Sequence, residues 1–72
     1  MPSEAQDRLN FLCSIINDRK LNFEGKLEKL LAIEYSQEEW LEIIKILKNK
    51  EKRTKTETVV YLVAIYSSIF IQ

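Results

Sequence analysis

The side chains equipped for chemistry are a lone thiol, Cys13, and a run of six cations, Lys45, Lys48, Lys50, Lys52, Arg53 and Lys55. The run occupies positions 45–55, where Glu51 is the one acid, so six bases against one acid leave +5. Clustered cations neutralise phosphates and release counterions. Lys48, Lys50, Lys52, Arg53 and Lys55 are therefore candidate contacts for an anion or a nucleic acid. Three features count against a dedicated nucleic-acid binder. Residues 1–44 hold nine acids and five bases. No aromatic interleaves the cations as a stacking platform. The pI of about 6.3 is far below the value above 9 typical of such domains.

Catalysis has little to work with. No histidine is present to exchange protons near neutral pH. One glycine is too few for a phosphate-cradling loop. A single thiol without histidine does not make a zinc site. Cys13 falls on the apolar face of the first helix, where a thiol acts as a small, inert hydrophobe. Glu34 lies near the apolar stripe of the second helix and reads as a rim carboxylate. The expectation is a protein without enzyme activity, cofactor or metal.

The elements that position these groups are helices. One glycine and one proline leave almost no turns needing positive φ, which argues against a β fold. Four amphipathic helices are expected at approximately 4–19, 23–34, 37–48 and 55–71. Ser3 with Gln6, Ser36 with Glu39, and Thr54 with Glu57 are spaced as capping boxes, Asn22 caps the second helix, and Thr56 is an alternative cap for the fourth. Tyr35 and Trp40 bracket Ser36 as a hydrophobic staple. The link between the second and third helices is expected to be about two residues.

The apolar stripes follow helical spacing. Ala5, Leu9, Leu12, Cys13 and Ile16 form the first, with Phe11 and Ile15 a second, smaller apolar patch that either packs on a flanking helix or anchors a partner. Phe23, Leu27, Leu30 and Leu31 form the second, and Trp40, Ile43, Ile44 and Leu47 the third. The fourth helix carries no charge after Glu57. Its broad face, with Val59, Leu62, Val63, Ile65, Tyr66, Ile69 and Phe70, is expected to pack centrally in the core. Its other side, with Val60, Tyr61, Ala64, Ser67 and Ile71, is smaller and mixed.

The expected architecture is thus an all-α domain over residues 1–72, a bundle of four short helices. A 72-residue chain buries only about 60% of its unfolded surface, and without a disulfide it needs dense packing or association. The expected function is a non-catalytic protein–protein interaction module (an adaptor, inhibitor or assembly factor) binding a protein partner or a second copy. Phe11, Ile15, Val60, Tyr61, Ala64, Ser67 and Ile71 are its expected contacts. The alternatives are a nucleic-acid-binding regulator using the basic segment, and peripheral membrane association through the C-terminal helix. The lone cysteine and the absence of a leader pattern at residue 1 point to the cytoplasm.

Overall fold

Each helix starts where a side chain accepts the first free backbone N–H groups. The structure, a computed structural model, describes residues 3–70. It comprises α1 (Glu4–Ile16), α2 (Phe23–Leu31), α3 (Gln37–Lys48) and α4 (Lys55–Phe70), with no strand among the described residues. The capping box at Ser36 is complete: Glu39 N donates to Ser36 Oγ at 3.2 Å, and Ser36 N donates to Glu39 Oε1 at 2.8 Å. Thr54 and Glu57 repeat the arrangement at α4, at 3.1 and 2.9 Å. Asn22 accepts from Gly25 N at 2.8 Å. At α1 only half the expected box forms. Ser3 accepts from Gln6 N, but the Gln6 amide donates to Asn10 one turn further on. Thr56, the alternative cap, instead donates to Asn17 Oδ1 at 2.7 Å and ties the end of α1 to the start of α4.

Two helices stop three residues short of their expected ends, each for a local reason. After Ile16, the Asp18 carboxylate accepts from Lys20 N at 2.9 Å, a side-chain bond that competes with continuing the helix. After Leu31, the chain leaves the helix so that Ile33 and Tyr35, at alternate positions, both pack on the core. The link from α2 to α3 is therefore residues 32–36, not a two-residue corner. The Tyr35 ring meets Trp40 at 5.1 Å between centroids, completing the staple. Residue 71, the expected last residue of the fourth helix, lies outside the described residues.

The core joins Leu9 and Leu12 of α1, Trp40, Ile43 and Leu47 of α3, and Val60 and Ala64 of α4. Cys13, Ile16 and Ile44, assigned to the stripes from their spacing, pack at its edge. The helices α3 and α4 form an antiparallel pair: Gln37 Nε2 donates to Ser68 O at 2.9 Å at one end, and Lys50 pairs with Glu57 at the other. Arg8 of α1 bridges to Glu39 of α3 at 2.7 Å. By contrast, the α2 backbone approaches α1 closely but not α3 or α4, and Leu30 alone reaches the buried cluster from it.

Candidate functional site

The gap between the α2 and α4 backbones shapes the surface. Opposite α4 stands the bulky stripe of α3, Trp40, Ile43 and Leu47, fully buried. A helix can approach such a stripe closely only with small side chains, and α4 supplies Val60, Ala64 and Ser68 at four-residue spacing. Val60 is 1% exposed and Ala64 0%. The Ser68 hydroxyl donates to Ile65 O at 2.8 Å, which removes the cost of burying it unpaired.

This reverses most of the packing expected for α4, since Val63 alone of its broad face packs against the core. The small, mixed side faces the core, while Val59, Leu62, Tyr66, Ile69 and Phe70 point outward. Leu62 is 61% exposed and Phe70 66%. Of the expected contact residues, Val60 and Ala64 are core, Tyr61 and Ser67 are partly buried, and Ile71 lies outside the described residues. Ile15 is also buried, because the turn after α2 brings Ile33 and Tyr35 toward α1. Phe11 stays half-exposed on the rim of the shallow cleft those residues form. The α2 stripe is likewise not core: Phe23, Leu27 and Leu31 are exposed, and Leu30 alone packs on the buried cluster.

Between the two unburied stripes lies a groove of about 500 Å³. Leu27 and Leu31 line one wall, Leu62, Tyr66 and Phe70 the other, and Trp40, Leu30 and Ile33 approach from the core. Tyr66 and Phe70 hold each other in place, with centroids 4.5 Å apart and ring planes at 34°. Trp40 Nε1 is buried and has no hydrogen-bond partner among the described residues. The groove can bury apolar surface, and the polar groups in its lining are the Ser67 hydroxyl, the Tyr66 phenol and the Trp40 indole.

Sequence spacing identified most of these residues but assigned them to the core. The signal that separates the two faces of α4 is volume rather than hydropathy. The run Val60, Ala64, Ser68 is small at every helical repeat, and the facing helix carries the chain's one tryptophan.

The basic segment is partly consumed by the fold. Arg53 Nη1 donates to Leu47 O at 2.8 Å, a carbonyl at the end of α3 that also accepts from Lys50 N at 3.2 Å, and its guanidinium lies over Tyr61 at 4.8 Å. Lys50 binds the Glu57 carboxylate that also closes the α4 cap. Lys48, Lys52 and Lys55 remain exposed. Burial raises the Cys13 thiol above its ordinary range, with Glu57 adding to the effect, so the thiol is a poor nucleophile at neutral pH.

Two carboxylates carry acid sensitivity. Hydrogen bonds from Lys50, and then from the Thr54 backbone, hold Glu57 below the usual carboxylate range. The Ser36 backbone and then its hydroxyl do the same for Glu39, with Arg8 adding to them. A folded-state value below the unfolded one gives stability that is present above the unfolded value and lost as pH falls through the folded one. The melting temperature is therefore expected to hold from neutral pH down to about 4.3, the ordinary glutamate value, and to fall below it. Circular-dichroism melts between pH 7 and pH 3 measure this, and Glu57→Gln should flatten the acid limb. An unchanged limb in that variant would remove Glu57 from the explanation.

Among the described residues, no helix is long and apolar enough to cross a membrane. No protein-family model matches the sequence, and comparisons with curated proteins and with solved structures found no match.

Proposed function

We propose that this protein is a non-catalytic protein–protein interaction module that binds through the groove between α2 and α4. The observation that carries the reading is the outward set of bulky apolar residues on these helices. The five that line the groove, Leu27, Leu31, Leu62, Tyr66 and Phe70, together expose on the order of 600 Å², and Phe23, Val59 and Ile69 add exposed apolar surface beyond the lining. The largest apolar patch on a typical monomer is about 300–600 Å². A preordered aromatic pair beside a concave apolar wall is the anatomy of an interface hot spot. The partner surface would be apolar at its centre, and binding would proceed by burying it. The cations left exposed at Lys48, Lys52 and Lys55 lie outside the groove lining and would act on approach rather than in the contact. Cytoplasmic residence, an adaptor, inhibitor or assembly role, and the absence of a catalytic step all belong to this proposal.

A photo-crosslinking side chain placed at Leu62, and separately at exposed Glu42 on the outer side of α3, tests it. Position 62 should give adducts with polypeptide, whether a second copy or another protein, and adding Leu31→Glu should abolish them. Position 42 should give none. Adducts only with lipid, or equal yields from both positions, would overturn the reading.

A further inference from the structure

We infer that the occupant of the groove is a second copy of this chain, with two α4 helices packed antiparallel across a two-fold axis. This rests on the proposed interaction function and names its partner. Three observations select a copy over an unrelated protein. The first is shape. A ridge, Leu62, Tyr66 and Phe70, forms one wall of the groove itself. A two-fold axis beside that wall therefore places the ridge of each copy in the groove of the other, which is how an isologous contact satisfies itself. The second is charge. In a two-fold contact each residue near the axis meets its own duplicate, so any charge there repels itself. Residues 58–70 carry none, in a chain that is 31% charged. The third is area. The five exposed residues lining the groove supply on the order of 600 Å², and with Phe23, Val59 and Ile69 beside them α2 and α4 approach the roughly 800 Å² that each partner contributes to a standard stable interface.

Tyr66 sits midway along the ridge, one turn from Leu62 and one from Phe70. In the antiparallel pair it lies beside the axis, facing Tyr66 of the second copy, and Leu62 of each copy approaches Phe70 of the other. The dimer thereby covers the surface that a 72-residue chain leaves unburied, and meets the need of small domains for association.

Sedimentation velocity from micromolar to millimolar protein tests the inference. The wild-type mass should rise from 8.5 kDa to twice that value. Tyr66→Glu and Tyr66→Lys should each weaken association at least tenfold, with unchanged far-ultraviolet circular dichroism, because Tyr66 is 59% exposed in the single chain. An equal mixture of the two should associate at least tenfold more tightly than either alone, since opposite charges then meet at the axis. Leu62→Glu is the second variant should position 66 affect folding, and it too should be monomeric. A wild type that stays at 8.5 kDa throughout would overturn the dimer. So would variants that dimerise as the wild type does, and a mixture with no gain would overturn the antiparallel placement of Tyr66. A monomer whose position 62 still crosslinks to a different protein would overturn the dimer alone and leave the interaction reading standing.

Discussion

Trp40→Ala is expected to cost about 3–5 kcal/mol, the range for emptying an aromatic site in a core. Trp40 is the largest fully buried side chain and contacts three parts of the molecule at once. It packs at a tilt against Tyr35 in the link before α3, belongs to the cluster with Leu9 and Leu12, and backs the groove between α2 and α4. No neighbour can collapse into the space without breaking one of these contacts. A domain of this length lies at the low end of the usual 5–15 kcal/mol of stability, so the variant should be substantially unfolded without denaturant. Urea titration followed by circular dichroism measures the loss. Trp40→Phe should cost less. It keeps an aromatic against Tyr35 and removes an indole N–H that is buried without a partner. If the alanine variant lost less than about 1 kcal/mol, Trp40 would not be the centre of the core.

The second large effect contrasts two positions on α4. Ala64→Leu should destabilise by about 1–3 kcal/mol or more, because the added carbons meet the buried face of α3 and force the helices apart. Leu62→Ala, half a turn away, should change stability by no more than about 0.5 kcal/mol when measured at dilution. Composition alone suggests the opposite: an alanine tolerates enlargement and a leucine in an apolar helix resents removal. Denaturation of both variants at one low protein concentration decides between the orientations. A costly Leu62→Ala with a silent Ala64→Leu would restore the packing suggested by hydropathy.

That contrast also marks where the sequence was legible. Capping chemistry is local, so Ser36 with Glu39 and Thr54 with Glu57 located the starts of α3 and α4. Helical spacing is local too, and it found the faces of α1 and α3 that form the core. The ends of α1 and α2 were harder to read. They depend on a turn formed by the Asp18 carboxylate and on where Ile33 and Tyr35 find space, and the second of these is tertiary. The orientation of α4 was not legible from apolar content, because nearly every side of that helix is apolar. It is set by volume matching between Ala64 and the stripe on α3, a property of two helices together. The candidate interaction surface depends on the same property, since Val60, Ala64 and Ile15, expected as partner contacts, are core. Phe11 and the partly buried Tyr61 retain some exposure, and Tyr61 also serves as the platform for Arg53.

The functional reading stands on one structural fact: α4 buries its small side and presents its bulky side. Cysteine reactivity measures that fact directly. In a Cys13→Ser background, a thiol is introduced at Leu62→Cys in one variant and at Ala64→Cys in another, and alkylation is timed under native conditions. The account predicts that the thiol at 62 reacts within an order of magnitude of the unfolded chain at dilution and slows as concentration rises and the second copy covers it. The thiol at 64 should stay protected at every concentration until denaturant is added. A thiol at 64 that reacts faster than one at 62 would contradict the account.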